Sequence, residues 1–297
     1  MAEGMATFFI RNPTSAERRA CRMLLPAAAR SGQKVRLFVA VAGEPQRVVG
    51  AAALGLDGRG DAHRGWQVDL RVIGPFRRRG IGRALIEHVA TQARDHDVGA
   101  IHAWEWAEPD SEAAKAWAAL GFLPQRRRTE YEADVHTASR TLVPLLNEVR
   151  EHGWIPDGAR IVPLSEVDPA AVAALHVKYL GGTRQLLMPL LTGAAPDRYD
   201  PTHSRVLLLD GRVMGFTLGR VFPDQGLCEV DANVLDPAVR LGWANVWLKV
   251  DAADSLLAAG IRTMRYFALD QHTDTRRVSI RDGVRLVRTL VQMRREL

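Results

Sequence analysis

Three arginines and two glycines stand together in the run of this sequence that is richest in chemistry, Arg77-Arg78-Arg79-Gly80-Ile81-Gly82. Apolar residues recur at helical spacing from Ile81 onward, so the run predicts the start of a helix. The first amides of a helix lack partners within it and carry the positive end of its dipole. Glycines let an anion approach such amides, and guanidinium groups match the oxygens of a diphosphate. The run therefore predicts an anion site, although a tight turn with solvent-facing arginines would give the same pattern.

The residues before this run predict the strand that positions it. Trp66 to Val72 are rich in apolar and β-favouring types, and Gly74-Pro75 is a turn signal. A further strand is predicted at Ala100 to Trp106, followed by a helix that opens at Asp110 or Ser111. A strand aimed at a helix N-terminus is thus expected at the centre of the first half of the chain.

The other elements of the first half complete an α/β pattern. A helix capped by Ser15 is expected to run towards Ala29 with a break near Pro26, and residues 57–65 form a charged, Gly-rich loop. The remaining predicted strands are Thr7–Ile10, Val35–Ala42, Val48–Leu56 and Thr129–Asp134. The order strand, helix, two strands, strand, helix, strand, helix, strand predicts helices packed on a sheet. Arg126 to Arg128 are expected on an exposed strand edge, where charge blocks edge pairing.

The second half repeats the first at a constant offset of 162 residues. The matched pairs are strand residues and turn glycines: Val68 with Val230, Asp69 with Asp231, Val72 with Val234, Gly80 with Gly242, Gly121 with Gly283 and Arg126 with Arg288. Gly50 matches Gly215 at an offset of 165, as expected if only the intervening loop changed length. We therefore predict two copies of one fold.

The boundary between the copies is predicted from turn residues. Thr137 to Gly153 is expected to form a helix with Pro144 tolerable only near its beginning, and Gly153 to Gly158 is rich in turn residues. Arg160 to Leu164 and Asp168 to Leu180 then look like a second first strand and first helix. The predicted division is an N-terminal domain at 1–136, a linker helix and turn at 137–158, and a C-terminal domain at 159–297.

Composition limits the class of protein. The chain has 297 residues and 47% apolar content, enough for two ordinary cores, and no apolar run near the ~20 residues of a membrane span. We expect a cytoplasmic protein without metal, because Cys21 and Cys228 are far apart and have no metal-ligand spacing. The net charge of +6 suits an anionic partner without choosing between coenzyme A and nucleic acid.

The arginine and glycine run resembles the R-x-x-G-x-G signature of the GNAT superfamily of N-acyltransferases, with Val72 five residues upstream. A second segment is similar to the family's A-x-x-x-Y-x-x-x-G-F pattern, through Ala113, Trp117, Gly121 and Phe122. A dinucleotide-binding fingerprint fits less well, because its third glycine would be Leu85. The resemblance implies an α/β protein of two tandem GNAT-like domains, each a mixed, mostly antiparallel sheet flanked by helices.

The resemblance also implies acetyl-CoA as donor and direct transfer of its acyl group to a primary amine in a ternary complex. The residues we assign to the cofactor are Arg71, Val72, Arg77, Arg78, Arg79, Gly80, Ile81, Gly82, Arg83 and Asp110. The backbone N–H near Val72 is expected to bind the thioester oxygen.

The usual general base of the family is missing, because its position is Trp66. The alternatives are Asp69, Glu105 and Glu108. Asp69 recurs as Asp231, which fits either a catalytic role or a structural hydrogen bond in both copies. Glu105 lies between Trp104 and Trp106, where desolvation would raise its pKa, or it is a solvated strand end.

The family's tyrosine, which assists the departing sulfur, corresponds to Trp117 here and to Ser279 in the second copy. An indole N–H can donate a hydrogen bond but cannot serve as an acid. Trp117 therefore either orients the sulfur or is a core aromatic that packs with Ala113 and Leu120.

The second copy has Val239-Arg240-Leu241-Gly242-Trp243-Ala244 at the position of the arginine run, with fewer charges and a bulkier final residue. We therefore predict that the N-terminal domain binds acyl-CoA and that the C-terminal domain is degenerate. This choice departs from the mycothiol synthases, a tandem group in which the C-terminal half is active.

The acceptor is expected to be a small-molecule or peptide amine, and the two fused copies are expected to act as a monomer. The alternative function is a non-catalytic tandem module that binds acyl-CoA or an anionic partner such as nucleic acid. Against nucleic acid, the arginines are not interleaved with stacking aromatic residues in any recognisable motif.

Overall fold

A computed structural model describes residues 7–30, 35–56, 66–240, 242–270 and 283–297. The chain forms two compact units, one of residues 1–127 with 290–297 and the other of residues 128–289. Each unit is a mixed sheet with helices packed against it, so the predicted α/β fold class is confirmed. No helix in the described ranges is long and apolar enough to cross a membrane.

The first unit has the predicted order of elements. Its helices are α1 (Glu17–Leu24), α2 (Pro26–Arg30), α3 (Ile81–Arg94) and α4 (Glu112–Ala119). Its strands are β1 (Phe8–Arg11), β2 (Val35–Ala42), β3 (Arg47–Leu56), β4 (Trp66–Val72), β5 (Ala100–Ala103) and the first residues of β6 (Leu123–Asp134). Strands β1 to β4 are antiparallel neighbours, and β4 pairs with β5 in parallel. The sequence pattern therefore predicted the part of the fold that contains the arginine run.

The second unit repeats this order between residues 159 and 269, from its first strand to the strand that corresponds to β5. Its helices are α5 (Val135–Glu151), α6 (Pro169–Leu180), α7 (Arg184–Thr192) and α8 (Trp243–Ala258). Its strands are β7 (Ala159–Pro163), β8 (Arg205–Leu209), β9 (Arg212–Phe222), β10 (Leu227–Leu235), β11 (Thr263–Leu269) and most of β12 (Val284–Glu296). As in the first unit, one parallel pair, β10 with β11, follows a run of antiparallel neighbours. Gly80 and Gly242, paired by the repeat, both have positive φ, at 81° and 110°.

Two segments belong to other units than their sequence positions predict. Helix α5, predicted to be part of a linker, lies within the second unit, where the Ser139 hydroxyl donates to Asp254 of α8 at 3.2 Å. The last eight residues of the chain lie in the first unit, where Arg294 to Glu296 pair with β5 in antiparallel register. Arg295 fixes this strand by donating to the Glu87 carboxylate of α3 at 2.8 Å.

Four local predictions are wrong. Helix α1 begins after Ala16 instead of at a Ser15 cap, because the Glu17 carboxylate accepts the Thr14 amide. Strand β5 ends at Ala103, three residues before the predicted end at Trp106. Pro144 lies inside α5 and not near its beginning. Arg128 is not on a strand edge, because it pairs with Leu269 of β11. The predicted loop at 57–65 and Ser279 lie outside the described residues.

Strand β4 divides two apolar cores of the first unit. Val68, Leu70 and Val72 face the core beneath α3, which includes the buried Ile81 and Leu85. The opposite face of the sheet packs against α1 and α2 through a second core that includes Cys21 and Leu25. Because side chains alternate along a strand, Asp69 and Arg71 belong to this second face. Residues of β4 thus reach both sides of the sheet.

Candidate active site

The sheet of the first unit opens between β4 and β5. The two strands pair in parallel from Trp66 with Ile101 to Val68 with Ala103, where β5 ends. Strand β4 continues to Val72, still paired with β3 up to Gly50. The last four residues of β4 therefore have a strand neighbour on one side and a gap on the other.

The polar backbone of β4 faces this gap. The Val68 carbonyl accepts the Trp104 amide at 2.9 Å, so Val68 points its polar groups towards β5. Alternation along the strand points the N–H and C=O groups of Leu70 and Val72 to the same side. The Val72 carbonyl there accepts the Arg77 guanidinium nitrogen Nε at 3.0 Å. The geometry leaves the Val72 N–H directed into the gap.

The arginine run forms a left-handed turn at the end of β4. A short 3-10 turn at Gly74–Phe76 is followed by Arg78 and Gly80 with φ of 60° and 81°, and α3 begins at Ile81. A left-handed conformation at a residue other than glycine costs on the order of 1–3 kcal/mol and often marks a functional site. No side chain caps α3, so its first amides keep their donors for a ligand. All three arginines are exposed, and the Arg79 guanidinium lies 5.8 Å from the Phe76 ring centre.

The two glycines of the run differ in their surroundings: Gly80 lies beside open space, and Gly82 lies beside the side chains of Val72 and Leu70. A Cβ atom at Gly82 would meet only Val72 Cγ2 at 3.8 Å and Leu70 Cδ2 at 3.9 Å, which is ordinary contact. A Cβ atom at Gly80 would meet nothing within 4 Å, so glycine is needed there for its left-handed φ alone. Packing within the protein therefore does not require glycine at position 82. The free space above an uncapped helix N-terminus fits a diphosphate.

The other residues predicted for the cofactor lie apart from this turn. The Arg83 side chain donates to the Ala119 carbonyl at the end of α4 at 3.3 Å. Asp110 is exposed and has a φ of 63°, and it precedes Ser111, whose hydroxyl caps α4 by accepting the Ala114 amide at 3.2 Å. Arg71 lies on the face of α1 and α2 and contacts no residue of the arginine run in the described hydrogen bonds.

Asp69 is the buried carboxylate of the site. Its side chain lies on the face of α1 and α2 with 4% of its surface exposed, and it accepts the Ala28 amide of α2 at 3.2 Å. Burial raises the pKa of Asp69, the nearby Glu105 raises it further, and the Ala28 amide and Arg71 oppose these effects. A carboxylate made more basic by burial is suited to accept a proton.

Glu105 and Arg71 form an ion pair on the same face. The Arg71 nitrogen NH2 lies 2.9 Å from the Glu105 oxygen Oε2, and the two side chains are 46% and 44% exposed. The predicted desolvation of Glu105 by its tryptophan neighbours is therefore wrong: the carboxylate is partly solvated and paired with a cation. An exposed pair of this kind contributes only about 0–1 kcal/mol to stability.

The aromatic residues considered for catalysis pack in the core. Trp117 contacts Phe122 edge-to-face, with ring centres 4.7 Å apart, and lies against the core beneath α3. Leu120 packs against the same core, as the structural alternative expects, whereas Ala113 is exposed. Trp66, at the position of the family's base, lies at the start of β4, where its ring is 5.2 Å from that of His96.

Two structural contributors could not be predicted from sequence. The backbone amide of Ala28 carries no chemical signal, although it is the hydrogen-bond donor to Asp69. The residues after 290 lie beside β5, and this depends on the fold of the whole chain. The common face of Asp69 and Arg71, in contrast, follows from strand alternation and was available from the sequence.

In the second unit an acidic side chain binds a backbone amide of the corresponding turn, and α8 begins after Gly242 without a side-chain cap, as α3 does after Gly80. Asp236 accepts the Ala238 amide at 3.1 Å through one oxygen and the Tyr179 hydroxyl at 2.7 Å through the other. The Lys178 ammonium lies 3.4 Å from the same carboxylate. The hydrogen bond from Tyr179 is the main cause of the lowered pKa of Asp236, with the Ala238 amide next. A carboxylate held charged at this turn repels a phosphate.

Comparison with known proteins identifies the first domain. Residues 5–122 match the sequence model of the Acetyltransferase (GNAT) family, which supports a GNAT acetyltransferase domain in the N-terminal part of the chain. The match includes β4, the arginine run and α3. No curated protein matches this chain.

Solved structures show the same fold over the whole chain. A tandem GNAT protein from the clavulanic acid biosynthesis pathway is similar at a TM-score of 0.62 and 18% identity, over 98% of both chains. A GCN5-related N-acetyltransferase from Sphaerobacter thermophilus has a TM-score of 0.58 and 15% identity, over 97% of this chain and 95% of that one. A GCN5-related N-acetyltransferase from Anabaena variabilis has a TM-score of 0.63 and 10% identity, over 97% of this chain and 72% of that one. These likenesses show the fold of tandem GNAT proteins, and the match of residues 5–122 to the family model supports acyl transfer from an acyl-CoA in general.

Proposed function

We propose that the chain is an N-acetyltransferase that transfers the acetyl group of acetyl-CoA to a primary amine, with the donor bound by the first domain. The observation that carries this proposal is the gap between β4 and β5, which leads to the uncapped N-terminus of α3 and its arginines. We also propose a cytoplasmic enzyme whose acceptor is a small-molecule or peptide amine.

The donor would bind along the open side of β4. The amides at the start of α3 and the guanidinium groups of Arg78 and Arg79 would hold the diphosphate, since both are exposed and point away from the core. Acetyl-CoA supplies an activated acyl group as a thioester. The Val72 N–H, directed into the gap, would donate to the carbonyl oxygen as negative charge develops on it.

The acceptor would approach from the face of α1 and α2. Both faces of the sheet carry an apolar core, but the polar side chains of Asp69, Arg71 and Glu105 lie on the face of α1 and α2. The acceptor arrives as an ammonium ion and must lose a proton before its nitrogen forms the new C–N bond. The C–S bond breaks as this bond forms, the nitrogen releases its second proton, and the sulfur leaves with a proton from solvent.

We assign Asp69 as the base that accepts the first proton from the ammonium group, because burial raises its pKa. Glu105, exposed and paired with Arg71, would instead bind the ammonium group through charge. Trp117, packed against Phe122, would line the donor site without a proton to give.

Titration with acetyl-CoA and a free-thiol assay against a panel of amines test this function. We expect one molecule bound per chain and release of coenzyme A that depends on the amine. Asp69→Asn should lower kcat/KM and remove the ionisation of the base from its pH profile, and Glu105→Gln should mainly raise the acceptor KM. Absence of acetyl-CoA binding would reject the proposal.

A further inference from the structure

Arg71 is a positively charged residue on the face of α1 and α2, where we place the acceptor. The sequence assigned it to the cofactor, yet it lies on the side of the sheet opposite the core beneath α3. Its partner there is Glu105, at 2.9 Å. A donor bound at the arginine run and the Val72 N–H would lie in the gap beside β4, whereas the Arg71 side chain lies on the face of α1 and α2, so we assign Arg71 no contact with the donor.

The pair presents one positive and one negative group side by side. Each side chain is almost half exposed, at 46% for Arg71 and 44% for Glu105, so both can reach a ligand from the solvent. Weakly held exposed pairs exchange partners readily, because water screens their attraction. The Arg71 guanidinium and the Glu105 carboxylate together complement the two opposite charges of a zwitterionic ligand.

We propose that the acceptor is a free α-amino acid, with its carboxylate bound by Arg71 and its ammonium group bound by Glu105. This inference rests on the proposed function and specifies its acceptor. The planar guanidinium can hold a carboxylate through two parallel hydrogen bonds, which fixes the direction of the amine. Asp69, two residues before Arg71 on the same strand face, then lies on the side from which the amine loses its proton.

Other amines fit this pair less well. A polyamine would bring a second positive charge towards Arg71, and like charges repel. A peptide N-terminus has an amide where an amino acid has its carboxylate, so Arg71 would lose a charged partner. The specificity expected from this site therefore comes from the carboxylate and not from the side chain of the acceptor.

The test compares each α-amino acid with its own amide and with the amine that lacks the carboxylate. In the wild-type enzyme, kcat/KM should be at least about 30-fold higher for the free amino acid than for its amide. Arg71→Gln should bring the two within about threefold, mainly through the acceptor KM, and Arg71→Lys should keep part of the preference. The KM for acetyl-CoA should not change in either variant. Arg94→Gln, at the exposed C-terminal end of α3, is the matched control and should behave as wild type.

The outcomes separate this inference from the proposed function. Turnover of amides and simple amines at rates equal to those of amino acids, with acetyl-CoA still bound, would overturn the acceptor class alone. Acetyl-CoA binding without turnover of any amino acid would do the same. A rise in the KM for acetyl-CoA in Arg71→Gln, with the preference for the carboxylate intact, would return Arg71 to the donor site. Failure to bind acetyl-CoA at all would overturn both proposals.

Discussion

The two copies of the fold each have a turn between a central strand and the following helix, and both helices begin without a side-chain cap, but the turns differ in charge and in hydrogen bonding. In the first copy the turn carries three exposed arginines, and α3 begins at Ile81 without a side-chain cap. In the second copy the Asp236 carboxylate accepts the Ala238 amide and the Tyr179 hydroxyl. The first turn therefore offers positive charge to a bound anion, whereas the second contains an anion of its own, the Asp236 carboxylate.

The two turns also differ in backbone conformation. Gly80 and Gly242 both have positive φ, but Gly80 is in the left-handed helical region with a ψ of −10°, whereas Gly242 has a ψ of −127°. The strands also differ, because β10 has a bulge between Val230 and Ala232, where β4 keeps a continuous register with β3. The residue in the bulge, Asp231, is bound by the Tyr199 hydroxyl at 2.7 Å, whereas the matching Asp69 is bound by a backbone amide. The aligned aspartates therefore differ in environment.

The largest effect is expected from the arginines of the first turn. Arg78→Gln with Arg79→Gln removes two exposed charges and leaves the left-handed backbone of position 78 equally strained, since glutamine also has a Cβ atom. At about 1 kcal/mol for each contact, the Kd for coenzyme A should rise roughly 30-fold, as calorimetry would measure. Arg240→Gln in the second copy is the control, and an equal loss in that variant would break the contrast between the copies.

The next effect tests whether the phosphate of the donor approaches Gly82. Gly82→Ala introduces the residue that the second copy has at Ala244, and the structure accommodates its Cβ atom at 3.8 Å from Val72. We expect the Tm to stay within a few degrees, while coenzyme A affinity falls about tenfold because the added methyl group displaces the phosphate. Unchanged affinity would show that the phosphate does not approach this amide. Ala244→Gly should not alter affinity.

A smaller effect is expected from removal of the Asp236 carboxylate in the turn of the second copy. Asp236→Ala removes hydrogen bonds from Tyr179 and Ala238, and should lower the free energy of unfolding by roughly 1 kcal/mol at pH 7. Because the folded pKa of Asp236 is lowered, its stabilisation is present above the unfolded pKa and is lost as pH falls through the folded value. Chemical denaturation at pH 7 and at pH 3 measures the difference. A loss equal at both pH values would argue against an ionised carboxylate.

The smallest effect concerns Asp69 and has the opposite sign. Its folded pKa is raised, so stability falls as pH rises from the unfolded towards the folded pKa, where the buried carboxylate becomes charged. Asp69→Asn keeps an oxygen for the Ala28 amide and removes this cost, so it should be more stable than wild type at pH 7 and similar below pH ~4. Thermal melts across this range are the measurement. Lower stability of the variant at pH 7 would contradict the assignment.

The local parts of the site were predictable from the sequence, and the long-range parts were not. Helical periodicity from Ile81 and the glycines before it place the turn, because both signals lie within one stretch of chain. The end of β5 at Ala103 was missed because the apolar pattern of the sequence continues to Trp106. The Trp104 amide also still donates to the Val68 carbonyl, as a strand residue would. The bond from Ala28 to Asp69 joins residues 41 positions apart and involves a backbone group that no side-chain pattern reveals.

Amide hydrogen exchange with and without acetyl-CoA tests the central claim most directly, because the claim concerns the amides that receive the diphosphate. The account predicts protection of the amides of residues 78–84 on addition of acetyl-CoA, with those of residues 242–247 unchanged. Protection confined to residues 242–247 would contradict it and assign the donor to the second copy.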